Sequence, residues 1–303
     1  MRETKILLTG ATGQLGGELL NQLERSGLRV SGFSHGELDI TDEVEVDRCF
    51  ARQAPNLVIN CAAYARVDDA ESEPSAAYSA NVRGPGIIAD WCRNHHAAMI
   101  HLSTDFVFDG LKTEPYLETD PVHPLSVYGK SKELGEKEIR KRLKEHLIIR
   151  TSWLYGTRGR NFVKTILALA MKNHPLKVVN DQFGCPTSAE DLAGAILRMV
   201  LRKDAYNDDT WGTYHYCGRG IVSWFQFAGE ILDIVAREGR RKSPGLEPIT
   251  TAEYPAKAGR PSFSALDCTK IGKAFGVETQ PFEISLSRVV RKLLGEFNAD
   301  QIP

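Results

Sequence analysis

Tyr128 and Lys132 stand four residues apart in the segment VYGKSK, and Ser103 and Thr104 close an apolar run upstream. Positions four apart share one face of a helix, so a phenol and an ammonium can meet there, with a hydroxyl supplied by Thr104. An unperturbed tyrosine ionises near ~10. A neighbouring cation lowers that value, and the Thr104 hydroxyl can hold a carbonyl oxygen where the phenol protonates it. The chemistry such a trio suits is reduction of a ketone, given a source of hydride.

The amino terminus has the pattern of such a source. The run Ile6-Leu7-Leu8 ends in Thr9-Gly10-Ala11-Thr12-Gly13-Gln14-Leu15-Gly16 and leads into a helical pattern from Glu18 to Arg25. This reads as strand, glycine turn, helix. Gly10 permits the tight turn, Gly13 lets backbone approach a pyrophosphate, and Gly16 lets the helix pack on the strand with its amino terminus toward the anion. The spacing is G-x-x-G-x-x-G, which alone fits many strand-to-helix turns; placed at residue 10 after a β run it marks a dinucleotide site. Gly10, Thr12, Gly13, Gln14, Leu15 and Gly16 are the expected contacts. The second strand ends in Gly32-Phe33-Ser34-His35, without the acidic residue that binds the ribose of NAD. That opening tolerates a 2′-phosphate, with Ser34 as a donor to it, so NADPH is the expected cofactor and NADH a second donor.

The elements that must position these residues alternate through the first half. Strands are expected at Lys5–Thr9, Arg29–Phe33, Leu57–Cys61, Met99–Ser103, Leu147–Thr151 and Leu176–Val179. Helical patterns fill the gaps at Thr41–Ala51, Ala76–His95, Val127–Leu143 and Phe162–Lys172. The expected fold is α/β: a Rossmann-type doubly wound parallel sheet over residues 1–155, joined by a further strand near 175–180, and a smaller α/β substrate-binding lobe over 156–303. In that lobe the sequence predicts helices at Ala189–Leu201, Trp224–Arg237 and Glu283–Phe297 and a short strand at Tyr214–Cys217. No repeat is visible.

A formal net charge of −1 gives no reason to invoke nucleic acid or a membrane surface. The first residues lead straight into a strand, so a cytoplasmic protein is expected. Six cysteines are scattered without a C-x-x-C pair, which disfavours a zinc site and a disulfide framework; they are expected to be reduced and mostly buried. The Lys- and Glu-rich run Lys130–Lys144 reads as a solvated helix face apart from Lys132. His95, His96 and His123 read as surface residues.

Several long segments sharpen the reading. Ala62–Glu71 (AAYARVDDAE), Ser103–Gly110 (STDFVFDG), Arg150–Gly156 (RTSWLYG), Asn180–Thr187 (NDQFGCPT) and Gly259-Arg260-Pro261, with the glycine turn and the Tyr-Lys pair, resemble the dTDP-4-dehydrorhamnose reductase family of extended short-chain dehydrogenases/reductases over nearly the whole chain. The resemblance implies a dTDP-sugar substrate, reduction of its 4-keto group, and a homodimer. It also implies site roles. Thr104 and Tyr128 contact the sugar ketone, Lys132 also binds the nicotinamide ribose, and Trp153 lines the sugar pocket. Val67, Asp68 and Asp105 fall in substrate-contacting segments, Asp39 and Ile40 lie near the adenine, and Ala62, Ala63 and Tyr64 run along the cofactor. Some relatives bind a divalent ion such as Mg2+ at an acidic dimer contact, which makes Glu190 a weak metal candidate. Phe106 departs from the tyrosine common in the family and puts one sugar contact in question. Two other readings share these motifs: a nucleotide-sugar epimerase or 4,6-dehydratase, the latter disfavoured because no glutamate follows Asp105, and a regulatory subunit like the β subunit of methionine adenosyltransferase.

Overall fold

Short apolar runs bounded by turn residues become strands because their side chains can be buried on both faces of a parallel sheet. The computed structural model describes residues 4–170, 175–202, 206–238 and 245–296. β1 (Lys5–Thr9), β2 (Arg29–Phe33), β3 (Leu57–Asn60), β4 (Ala98–Thr104) and β5 (His146–Thr151) are joined through α1 (Gln14–Arg25), α2 (Glu43–Gln53), α3 (Val67–Ala70), α4 (Pro74–Tyr78), α5 (Gly84–Asn94) and α6 (Val127–Arg142). Then follow β6 (Leu154–Tyr155), α7 (Phe162–Ala170), β7 (Leu176–Val179), β8 (Phe183–Gly184), β9 (Thr187–Ser188), α8 (Ala189–Leu201), β10 (Gly212–His215), β11 (Val222–Ser223), α9 (Trp224–Arg237), β12 (Leu246–Ile249), α10 (Thr269–Phe275) and α11 (Phe282–Glu296). The expected helix ends at Lys172 and Phe297 lie outside the described residues.

The main sheet is parallel throughout, in the order β10-β5-β4-β3-β1-β2. Strand order reverses between β1 and β3, the place where doubly wound sheets open a crevice at their carboxyl ends. One face is covered by Leu15, Leu19 and Leu23 of α1 with Leu192, Ile196 and Met199 of α8. The other is covered by Val46 and Phe50 of α2, Ile88 and Cys92 of α5 and Ile139 of α6. A separate core joins α7, α9 and α11 over β7, through Ile166, Phe227, Ile231 and Leu286.

One strand assignment is corrected. Leu176–Val179 does not join the main sheet; it pairs in parallel with β12, and Leu176 and Val178 are buried in the α7–α9–α11 core. The sixth strand is β10, expected as part of the second lobe. Its Tyr214 is buried edge-on to Phe275, and His215 is fully buried, with Nδ1 3.0 Å from the Tyr116 carbonyl. LKVV is the more apolar segment, but the partners that fix GTYH beside β5 come from far along the chain. The expected helix Ala76–His95 is also interrupted: a π turn at Ser79–Arg83 separates α4 from α5. Of the cysteines, Cys92, Cys185 and Cys217 are buried and Cys49, Cys61 and Cys268 half-buried, all free thiols.

The orientation of α6 is set by a buried ion pair. Glu136, with no exposed surface, accepts from Arg150 of β5 through Nε (2.9 Å) and Nη2 (2.7 Å), from Ser103 of β4 (2.5 Å) and from Arg140 (3.0 Å). Burial pushes its carboxyl up, but the Arg150 hydrogen bonds and charge prevail and bring it to about 2. Ser126 caps the helix by accepting from Gly129 N, and Glu71 accepts from Val127 N at 2.8 Å. Removing the Glu136 charge leaves Arg150 buried and unpaired, so Glu136→Gln is expected to cost about 3–5 kcal/mol in urea unfolding. Because the folded value lies below the ordinary 4.5, the wild-type contribution is present above that value and is lost as pH falls toward 2.

Candidate active site

Glycine shapes the crevice at the reversal of strand order. Gly10 adopts φ +69°, and a Cβ there would stand 2.7 Å from Ala62 N. A Cβ on Gly16 would overlap the Gly10 carbonyl, so α1 can approach the turn only as glycine. No side chain caps the amino terminus of α1, which suits it to an anion. A cleft of about 500 Å3 lies beside it, lined by Gly10, Thr12, Gly13, Asp39, Ile40 and the Cys61–Tyr64 segment. These residues fit the phosphates and adenosine of a dinucleotide.

The other expected contacts in this region divide. Leu15 is buried in the sheet core, so only its backbone faces the turn. Gln14 is engaged elsewhere: its Nε2 donates to the Leu154 carbonyl (3.0 Å) and its Oε1 accepts from Asn161 (2.8 Å), which ties the glycine turn to β6. Asp39 is held below the usual carboxylate range by the amide of Thr41, whose N and hydroxyl donate to it at 2.9 and 2.8 Å. Ser34 gives both its N–H and its hydroxyl to Glu37 Oε2, at 2.8 and 2.6 Å. The acidic group missing from the end of β2 is thus supplied by Glu37 from the following loop, a residue the sequence reading passed over.

Across the sheet, Thr104 ends β4 and α6 begins at Val127. A Cβ on Gly129 would overlap the Phe106 carbonyl, so the helix packs directly on the loop after β4 and brings Tyr128 beside Thr104, whose hydroxyl acts on the phenol. Burial pushes the Tyr128 phenol up to about 12, with Thr104 opposing and Asp105 adding to the rise. Phe106 meets the Tyr128 ring edge-on, centroids 5.7 Å apart, and so packs on the phenol. Asp105 accepts the Thr104 hydroxyl through Oδ1 (3.1 Å), while its buried Oδ2 has no partner. Burial raises Asp105 to about 6.

The expected acidification of Tyr128 by Lys132 does not occur in this arrangement. Lys132 Nζ donates to the Leu102 carbonyl at 2.6 Å and lies 3.3 Å from His101 Nε2. Burial lowers Lys132 to about 8, against Glu136 and Cys61, and it does not contribute to the Tyr128 shift. The stem of Lys132 points to the sheet because the buried Leu102 carbonyl accepts from it there. Sequence reading missed three buried polar residues that build this region: Asn60, His101 and Asn81. Asn81, in the π turn, grips the backbone of Tyr64 at both N–H (2.9 Å) and C=O (3.0 Å) and donates to Ser131 (2.9 Å). An asparagine or histidine inside an apolar run was the available signal.

Trp153 and Asp68 stand in neighbouring clusters. Trp153 is half-buried at φ +45°, a strained conformation for a bulky residue. Its indole stacks on Trp224 (centroids 3.5 Å, planes 6° apart), and a Cβ on Gly184 would be 2.5 Å from it. Asp68 accepts from Arg260 Nη2 (2.7 Å) and from the amides of Lys257 and Ala258 (3.2 and 3.1 Å), and Arg260 holds it below the usual range. It therefore orients Arg260; Val67, half-buried beside it, opens α3. Beyond Arg260 lies an apolar cleft of about 570 Å3 lined by Phe162, Ile166, Val178, Trp224 and Tyr254. Glu190 is engaged by a lysine: Lys292 Nζ lies 2.8 Å from its carboxylate, and among the described residues no three His, Cys, Asp or Glu side chains converge.

This geometry has counterparts among known proteins. The family model of the RmlD substrate binding domain matches residues 4–294. The chain belongs to the RmlD substrate binding domain family. A member from Aggregatibacter actinomycetemcomitans, dTDP-4-dehydrorhamnose reductase, is 43% identical over 94% of this chain and 98% of its own. The structure of a dTDP-4-dehydrorhamnose reductase from Clostridium acetobutylicum has 39% identity and a TM-score of 0.89 over 96% of this chain and 100% of that one. A Bacillus anthracis dTDP-4-dehydrorhamnose reductase solved with NADP has 33% identity and a TM-score of 0.88 over the same shares. Within the RmlD family fold of this chain no described helix is long and apolar enough to cross a membrane.

Asp105 gives a prediction specific to this site. A carboxyl raised from 3.8 to about 6 opposes folding increasingly as pH rises through that window, to a limit on the order of 2–3 kcal/mol. Asp105→Asn is therefore expected to raise the melting temperature at pH values above this window and to lose that advantage below it. A pH-independent difference would contradict the burial of this carboxylate as the cause of its raised value.

Proposed function

We propose that this protein reduces the 4-keto group of dTDP-4-dehydrorhamnose to give dTDP-L-rhamnose, with Tyr128 as the proton donor. The observation that carries the reading is the Tyr128 phenol beside the Thr104 hydroxyl, at the carboxyl end of β4 in a sheet that presents a dinucleotide-sized cleft. The high identity to dTDP-4-dehydrorhamnose reductases supports the choice of substrate.

Gly10, Thr12, Gly13, Asp39, Ile40 and the Ala62–Tyr64 segment would hold a nicotinamide dinucleotide. When bound and reduced, it supplies the hydride. Thr104 turns its one hydroxyl proton from Asp105 to the carbonyl oxygen of the sugar and fixes that oxygen within reach of Tyr128. A phenol near 12 stays protonated at neutral pH, so Tyr128 holds the proton until negative charge develops on that oxygen and then transfers it. Lys132 serves as the cation that balances the phenolate and steadies the nicotinamide ribose. Residues 156–303 act mainly as the substrate lobe. Trp153, clamped between Trp224 and Gly184, offers a rigid face to the sugar. Arg260, oriented by Asp68, meets the diphosphate, and the apolar cleft past it takes the thymine.

The defining assay mixes the purified protein with dTDP-4-dehydrorhamnose and NADPH, then NADH, and follows absorbance loss while the sugar product is identified. Stoichiometric oxidation with dTDP-L-rhamnose formed is expected. Tyr128→Phe is expected to lose ~10²–10⁴-fold in turnover while still binding cofactor; a near-normal rate would reject Tyr128 as the acid. Cofactor choice depends on Glu37, whose carboxylate occupies both donors of Ser34 and repels a 2′-phosphate. In Glu37→Gln the KM for NADPH should fall several-fold while that for NADH does not; equal effects on both would remove Glu37 from cofactor selection.

A further inference from the structure

Asn60, His101 and Lys132 form a fully buried line behind the ketone-reducing groups, and the polarity of each hydrogen bond follows from one end. The Ala62 N–H can only donate, and it donates to Asn60 Oδ1 at 3.1 Å. The Thr9 hydroxyl is 2.6 Å from the same oxygen. This settles which end of the Asn60 amide is oxygen. Asn60 Nδ2, a donor only, is then the atom that faces His101 Nδ1 at 3.0 Å. Nδ1 must accept and so carries no proton. A neutral imidazole has its one proton on the other nitrogen, and Nε2 faces Lys132 Nζ at 3.3 Å.

Two donors cannot share that contact. An ammonium has three N–H bonds and no lone pair. A free amine can accept from Nε2–H and still donate to the Leu102 carbonyl at 2.6 Å. An imidazolium would place a second donor against Asn60 Nδ2 and remains in conflict with Lys132. We propose that His101 is a positioning residue that holds Lys132 as a neutral amine against β4, and that Lys132 becomes an ammonium on leaving His101 for Tyr128 and the cofactor ribose, taking one proton from solvent.

The surrounding groups agree. Glu136, one turn along α6, is already matched by Arg150, Arg140 and Ser103. Cys61, after β3, is pushed up to about 12 by burial and stays a thiol, and Tyr128, one turn back, stays a phenol. Asp105 lies past the end of β4 and faces Thr104. His146 of β5, on the far side of His101, is lowered by burial and adds no charge at neutral pH. Burial pulls His101 itself well below the ordinary histidine value.

The tautomer belongs to the cofactor-free protein; only the proton uptake rests on the reductase reading. Long-range 1H–15N spectra of histidine-labelled protein read the first, with His101→Gln for assignment, and the 13Cε shift of Lys132 reads its charge. Expected, at pH above the Lys132 midpoint, are an unprotonated Nδ1, a protonated Nε2 and an uncharged Lys132, that midpoint lying at about 8, below the ordinary lysine value. A protonated Nδ1, or a Lys132 midpoint at an ordinary lysine value, overturns the proposal. Asn60→Asp turns the atom opposite Nδ1 into an acceptor, so the imidazole proton should move to Nδ1 and the Lys132 midpoint should rise by about one unit or more; an unchanged tautomer counts against the mechanism. Should that variant fail to fold, the wild-type tautomer decides alone. Calorimetry of NADPH binding in buffers of different ionisation heat, one unit above the Lys132 midpoint, should show uptake approaching one proton. Binding without uptake overturns the second half. No NADPH binding overturns that half together with the reductase reading, while the tautomer is judged on its own spectrum.

Discussion

The buried carboxylate of Glu136 is the constraint on which the site depends. Tyr128, Lys132 and Glu136 follow one another at intervals of four on α6, so they share a face, and the third of them is fixed by Arg150 of β5 and Ser103 of β4. A buried charge is tolerated only where its lone pairs are satisfied, and four donors satisfy this one. The rotation of the helix is therefore set by an ion pair, and with it the height at which the phenol meets Thr104. Gly129 allows the approach that this grip demands.

Polar scaffolding of the same kind holds the cofactor side. Loops at the carboxyl ends of strands tend to be mobile, yet the segment after β3 is pinned by Asn60 at Ala62 and by Asn81 at Tyr64. Each amide is buried and each is answered by backbone, so moving the segment would strand polar atoms. The π turn that carries Asn81 is the local irregularity that lets it reach. The hydrogen bonds that fix these loops also dictate the state of Lys132, because donors and acceptors in a closed line cannot be chosen independently.

On the other side of the crevice the constraint is steric. Trp153 is held in a left-handed backbone conformation by stacking on Trp224 and by the bare backbone of Gly184. Such strain persists only where the surroundings over-determine it, and here the α7–α9–α11 core supplies them. Asp68 spends its acceptors on Arg260 and the 257–258 amides, which links the α3 segment to the chain beyond β12. Crevice walls from both halves of the sequence are thus each tied down by their own contacts.

Local pattern was enough for much of this. The five strands from β1 to β5, the glycine turn, and the helical spacing of Tyr128 and Lys132 are legible in the chain because period and turn chemistry are properties of neighbouring residues. Motif order along the chain made the family legible as well. Tertiary structure alone decided which short strand completes the sheet, since GTYH is held there by Phe275 and Tyr116 while LKVV finds β12. It decided that Ser34 is already engaged by Glu37, that Glu190 is matched by Lys292, and that Lys132 rests on His101 and Leu102. Those outcomes turn on which donor meets which acceptor, from three residues apart for Ser34 and Glu37 to about a hundred for Glu190 and Lys292, and such pairings leave no periodic trace in sequence.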